Sequence, residues 1–218
     1  MRNFMHRSLL LLAVLAAPVL ADDLAEVDKP APAFRLPVYN QRAYGEAAAG
    51  LDSFVGAETT DEKTRVLVVS FMASWCAPCK KEMPYLQKLY DENKDKGLRV
   101  MLIAIDTEAE GQKKVEELIE LNKVTFPVGK DRFNIVARRW LGTQSPLPSL
   151  FFVRPDGTVS SVHRGYSSDG AEVLAGELEK ILGVKVSKPV VAAVAPPPEP
   201  TPVPEPTPAP RGKKNKKK

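Results

Sequence analysis

The apolar positions of this chain change period several times between Pro30 and Val184, and the changes predict its elements. Arg65–Met72 is an almost unbroken, Val-rich apolar run of strand length. A run of that kind predicts a strand covered on both faces. From Cys79 to Lys96 the apolar residues Met83, Leu86, Leu89 and Tyr90 fall at helical spacing, and Gly97 supplies a stop. Leu98–Ile105 reads as a second buried strand, Gly111–Asn122 as a helix, Thr125–Val128 as a short strand and Phe133–Leu141 as another helix. Ser149–Val153 and Thr158–Arg164 flank Pro155-Asp156-Gly157, the chemistry of a hairpin turn. Ser168–Leu182 is an amphipathic helix. Upstream, Phe34–Tyr39 reads as a short strand and Leu51–Gly56 as one helical turn.

Strand–helix alternation followed by a hairpin and a last helix predicts an α/β fold. A largely parallel central sheet would carry helices on both faces and an antiparallel edge. There is no internal repeat, and a single domain over 22–184 accounts for the pattern.

The two ends read differently. Arg2 and Arg7 precede an apolar run, Ser8–Leu20, and Ala21 is a small residue before Asp22. That is the layout of a secretory signal over residues 1–21 cleaved after Ala21. The run has 13 residues and contains Pro18, short of the roughly 20 that a spanning helix needs. The expected location is therefore the periplasm or another extracytoplasmic space. Residues 185–218 form a Pro-rich tail: ten of the 20 prolines lie between Pro189 and Pro210, ahead of a basic end with six Lys/Arg from Arg211 on. Such a composition cannot bury a core, which predicts a disordered tether. A sharper expectation is that its basic tip contacts an anionic envelope surface.

Charge changes the picture only once it is divided. The chain carries +4 overall, but residues 22–184 hold 21 Lys/Arg against 25 Asp/Glu, and the excess of cations lies in the two ends. An acidic body argues against a nucleic-acid partner, whose basic footprint would have to lie on the folded domain.

The candidate chemistry is a single constellation. Only two cysteines are present, Cys76 and Cys79. They are too close to close a stabilising loop, so local redox chemistry is the better explanation. Trp75-Cys76-Ala77-Pro78-Cys79 falls where the first buried strand meets the first long helix. Orphan N–H groups and the positive end of the helix dipole there favour thiolate over thiol. Cys76, at the exposed lip, is the expected attacking thiolate, and Cys79 can resolve a mixed disulfide. Pro78 suits a first helical turn. Tetrahedral zinc needs four ligands, but the only histidines are His6, in the signal, and His163, in the hairpin. No metal and no cofactor is expected.

Phe71-Met-Ala-Ser-Trp-Cys-Ala-Pro-Cys-Lys-Lys-Glu-Met-Pro84 resembles the active-site segment of thioredoxin-fold proteins, specifically the exported TlpA/ResA-like branch, over about residues 30–184. The resemblance implies a thioredoxin-like fold with an inserted strand–helix unit between Leu98 and Leu141. It implies that Pro84 is the proline kinking the active-site helix. Pro148 would be the cis-proline after Leu147, sitting against the disulfide and shaping the substrate groove. Trp75 would line that groove. Glu82 would match an acidic residue that tunes the protonation of the cysteines, against the plainer reading of a solvated helix-surface carboxylate. Cytoplasmic thioredoxins carry a buried aspartate where this chain has Ser70, which leaves proton transfer to Glu82 or water. Phe71, Phe151 and Phe152 read as core.

The implied activity is thiol–disulfide exchange with exported proteins, apocytochrome c among them, with electrons from a membrane thiol-transfer protein. Three alternatives compete. A peroxidase would want a lone peroxidatic cysteine. A copper carrier on this fold would want Cys-x-x-x-Cys with a downstream histidine. A redox-dead scaffold would only present the tail.

Overall fold

A computed structural model describes residues 24–188 except Glu58, Thr60 and Ser145. The signal-like residues 1–21 and the tail from Pro189 on lie outside the described residues, so those expectations are not addressed by it. No helix among the described residues is long and apolar enough to cross a membrane.

The order of elements is β1 (Arg35–Pro37), α1 (Gln41–Tyr44), β2 (Ala48–Gly50), β3 (Val66–Met72), α2 (Ala77–Asn93), β4 (Leu98–Ala104), α3 (Ala109–Leu121), β5 (Val128–Lys130), α4 (Ile135–Leu141), β6 (Ser149–Val153), β7 (Val159–Arg164) and α5 (Gly170–Leu182). Five strands form one sheet in the order β5-β4-β3-β6-β7. β3 pairs in parallel with β4, and β4 with β5, while β6 runs antiparallel to both β3 and β7. The mixed α/β sheet expected from the apolar pattern is present, and so is the extra strand–helix unit between Leu98 and Leu141.

β3 is central because every one of its seven residues is buried, and the apolar side chains on both faces have helices and loops to pack against. Phe71, Phe151 and Phe152 are fully buried, as read from the sequence. α2 ends in a short 3-10 turn, Lys94–Lys96, and stops at Gly97. Gly97 has φ +97°, and a Cβ there would lie 2.6 Å from the Lys63 carbonyl, so only glycine fits the stop.

Two local expectations need correction. The short strand expected at Thr125–Val128 is instead Val128–Lys130. Pro127 has no N–H to offer a ladder. Thr125 is drawn away by Gln87, whose Oε1 accepts from the Thr125 N–H at 2.9 Å and whose Nε2 donates to its hydroxyl at 2.9 Å. The second correction concerns the segment before α1, residues 24–40. They form more than a short strand: residues 28–40 cross the sheet from one side to the other and bond to the first residues of both outer strands. Asp28 N–H donates to the Val159 carbonyl at 2.9 Å on the β7 side, and Tyr39 N–H to the Val128 carbonyl at 2.8 Å on the β5 side. Between them, Trp140 Nε1 donates to the Pro32 carbonyl at 2.9 Å, and Phe34 stacks edge-on against Trp140 at 5.8 Å. At the other end, packing runs past the expected boundary at 184: Val186 is buried, and Tyr85 of α2 donates its hydroxyl to the Ser187 carbonyl at 2.8 Å.

Candidate active site

β3 delivers the chain to the active-site end of the sheet, and α2 leaves from the same place. Cys76 caps α2 in an extended conformation, Ala77 and Pro78 occupy its first turn, and the Cys79 N–H donates to Cys76 Sγ at 3.2 Å. Cys76 and Cys79 are joined by a disulfide, their Cα atoms 5.3 Å apart. The helix-start placement expected from the sequence is thus observed, with one orphan N–H of the helix already aimed at the sulfur.

The expected exposed lip is not. Cys76 is 5% exposed and Cys79 4%, so exposure does not distinguish the two sulfurs. What distinguishes them is position, since Cys76 caps the helix and receives its N–H while Cys79 is within the first turn.

Pro78, Glu82 and Pro148 are brought together. With Tyr85, Phe152 and His163 they line a cavity of about 870 Å³ between α2, the β6–β7 hairpin and the start of α5. The Leu147–Pro148 bond is cis, and the buried Pro148 accepts a hydrogen bond at its carbonyl from the Gly165 N–H at 2.8 Å. Leu147 is half-buried against the core outside this wall. Trp75 is 70% exposed and stands beside the disulfide rather than in the cavity. Pro84 lies inside α2 on its solvent side. Its missing N–H leaves the Lys80 carbonyl without a helical donor, on a face where water can replace it. His163 sits on the edge strand, edge-on to Phe152 at 5.7 Å; its place in the cavity wall was not legible in the sequence.

Glu82 is not the solvated surface carboxylate. Although the residue is only half-buried overall, its carboxyl end points inward from α2 to the sheet, where the Ser70 hydroxyl donates to Oε1 at 3.3 Å. Burial pushes its pKa from 4.5 up to about 7, against the smaller opposing pull of the Ser70 hydrogen bond. Glu82 and Cys79 are three residues apart on one helix, hence on the same face.

Two further groups were missed. Asp106, just past β4, is buried and accepts from the Ser74 N–H and hydroxyl. Asp131, just past β5, is buried and accepts from the N–H groups of Ile135 and Ala137, capping α4. Both stand at the ends of parallel strands, a position that their polar type within apolar surroundings could have flagged. Among the described residues no three His, Cys, Asp or Glu side chains converge where they could hold a metal ion.

A disulfide at a strand-to-helix junction, a cis-proline and this sheet order together define the class of thioredoxin-fold thiol–disulfide oxidoreductases. Comparison with known proteins places the chain more closely: residues 27–162 match the AhpC/TSA family, and the chain belongs to it. It is 31% identical over 172 residues to the thiol-disulfide oxidoreductase ResA of Oceanobacillus iheyensis, covering 75% of this chain and 82% of that one. It is 35% identical over 126 residues to the protein of the same name from Bacillus cereus, covering 57% and 68%. Two solved structures share the fold. A thiol:disulfide interchange protein from Bacteroides sp. matches with TM-score 0.54 and 24% identity over 74% of this chain and 93% of that one. The thioredoxin domain of a thiol-disulfide oxidoreductase from Bacteroides vulgatus matches with TM-score 0.54 and 23% identity over 72% and 98%. The chain is a thiol–disulfide oxidoreductase.

Proposed function

We propose that this oxidoreductase works outside the cytoplasm as a reductant of disulfides in exported proteins, with Cys76 as nucleophile, Cys79 as resolving thiol and Glu82 as the proton carrier. The observation that carries the reading is Glu82. Its carboxyl group is withdrawn from water on the Cys79 face of α2 and titrates at about 7, so it can both take and give a proton near neutral pH.

In the reduced enzyme, the Cys76 thiolate attacks one sulfur of the substrate disulfide. A Cys76–substrate bond forms, the substrate S–S bond breaks, and the second substrate sulfur leaves as thiolate. Cys79 then gives its proton to Glu82 and attacks Cys76 Sγ. The Cys76–Cys79 bond forms and the first substrate sulfur departs. Two electrons have moved to the substrate, whose thiolates take up two protons, one of them available from Glu82. Trp75, Pro78, Leu147 and Pro148 frame the approach of the substrate, and Pro84 shapes the helix behind it. A membrane thiol-transfer protein restores the dithiol by the same exchange in reverse. The pair itself is the redox centre, with no bound cofactor assigned.

Export is supported by the signal-like residues 1–21, and the resemblance to TlpA/ResA-like proteins favours apocytochrome c cysteines as substrate. The basic end of the tail is assigned to contact with the envelope surface; deleting residues 189–218 is expected to shift the protein from the membrane to the soluble fraction.

Insulin reduction tests the activity, with Cys76→Ser as control. Wild-type turnover no faster than the variant would end the reading. Alkylation trapping in cells tests the direction: a mostly reduced pair is expected, and a mostly oxidised pair would make the protein an oxidant instead.

A further inference from the structure

The buried carboxylate of Asp106 takes no part in the exchange just described, yet it is tied to the segment that carries Cys76. The β3–β4 ladder runs one step beyond the end of β4, the Ile105 N–H donating to the carbonyl of Met72, the last residue of β3, at 3.0 Å. That step sets Asp106 beside Ser74. Asp106 Oδ2 accepts from the Ser74 N–H at 3.0 Å, and Oδ1 accepts from the Ser74 hydroxyl at 2.6 Å and lies 3.2 Å from the same N–H. Ser74 and Asp106 are 7% and 5% exposed, so these charge-assisted bonds form away from water, where they hold most firmly. One turn later the Cys76 N–H donates to the Ala73 carbonyl at 3.0 Å. Cys76 therefore hangs on a tight turn whose middle is clamped from the neighbouring strand.

The clamp has a fitted back wall. A Cβ on Gly111, in the first turns of α3, would lie 2.6 Å from Asp106 Oδ1 and 3.2 Å from its Cβ. The Gln112 side chain donates to the Asp106 carbonyl at 3.3 Å and to the Thr107 carbonyl at 2.9 Å. The carboxylate is thus held between the start of α3 on one side and Ser74 on the other, with room for no side chain at 111.

We infer that Asp106 is a positioning residue of the exchange reaction: through Ser74 it fixes the turn that presents Cys76 Sγ to the helix-start N–H groups and to the incoming disulfide. This inference rests on Cys76 as the nucleophile. A sulfur displaced by about an ångström from its line of attack loses rate steeply, on the order of a hundredfold in the extreme, and a sulfur displaced from the helix start loses its thiolate stabilisation.

The test measures the pH profile of single-turnover alkylation of reduced Cys76 in a Cys79→Ser background, together with the unfolding midpoint. Asp106→Ala is expected to slow alkylation at neutral pH about tenfold and to move the profile to higher pH. Asp106→Asn keeps an acceptor for the Ser74 hydroxyl and is expected to recover part of the rate. Gly111→Ala pushes the carboxylate off Ser74 without removing any charge or donor, and is expected to slow alkylation in the same sense. Asp131→Asn is the comparison: a buried carboxylate of the same kind that caps α4 and should lower the midpoint without moving the profile. If Asp106→Ala and Gly111→Ala shift only the midpoint, as Asp131→Asn does, the inference is overturned. If Cys76 is unreactive in every variant and in the parent, it is the assignment of the nucleophile that fails.

Discussion

Moving the solution from pH 5 to pH 8 acts on the fold through Glu82, and the sign follows from where its proton sits in each state. Unfolded, the carboxyl ionises near 4.5; folded, burial holds it protonated up to about 7. Between those values the folded chain keeps a proton that the unfolded chain has released, so stability falls as pH rises through the window. The contribution is fully present below about 4.5 and is gone above about 7. At 1.36 kcal/mol per pKa unit the loss between pH 5 and 8 is on the order of 2 to 3 kcal/mol. Glu82→Gln keeps the shape and a partner for the Ser70 hydroxyl but cannot ionise. Urea unfolding of both proteins with the disulfide intact, followed by tryptophan fluorescence, gives the difference directly, because every other titrating group is common to the two. The variant should gain on the wild type by that amount as pH rises. A stability difference that is the same at pH 5 and pH 8 would show that the Glu82 carboxyl is solvated when folded, and would remove it from the proposed proton path as well.

Two further predictions concern the frame that holds the site. Trp140 is fully buried, packs edge-on against Phe34 and Phe151 at 5.8 and 5.0 Å, and anchors the N-terminal segment through its Nε1 bond to Pro32. Trp140→Ala should cost about 3–5 kcal/mol in urea unfolding, and should expose the 28–40 segment to limited proteolysis before the rest of the chain. Asn40 donates to the carbonyls of Val124 and Phe126 at 3.1 and 2.7 Å and accepts from the Val128 N–H at 3.0 Å. Asn40→Ala orphans three buried backbone groups and should cost on the order of 2–4 kcal/mol, with hydrogen exchange faster at Val128 than at the central strand β3; uniform exchange would argue against a local clamp.

The site divides according to what a sequence can carry. The disulfide chemistry was legible because its determinants are local: two cysteines three apart, at a change from strand to helix period, meet the helix start whatever the rest of the chain does. The same holds for the central strands, whose unbroken apolar runs leave only a buried position open to them. Glu82 was half legible. Its spacing puts it on the Cys79 face, but the choice between a solvated and a buried carboxylate belongs to α2 lying over β3, which brings Ser70 within 3.3 Å. Asp106 was not legible, since its role is a contact with Ser74, 32 residues away, made only because β3 and β4 pair in register. The exposed lip assigned to Cys76 failed for a related reason: local sequence places a residue at a helix start, but neighbours from distant segments decide how much of its sulfur meets water. Sequence by itself therefore determined that a cysteine pair meets a helix start and which strands form the centre of the sheet. Tertiary packing decided the burial of the site residues, their proton affinity and what holds them still, because each of those depends on groups far apart along the chain.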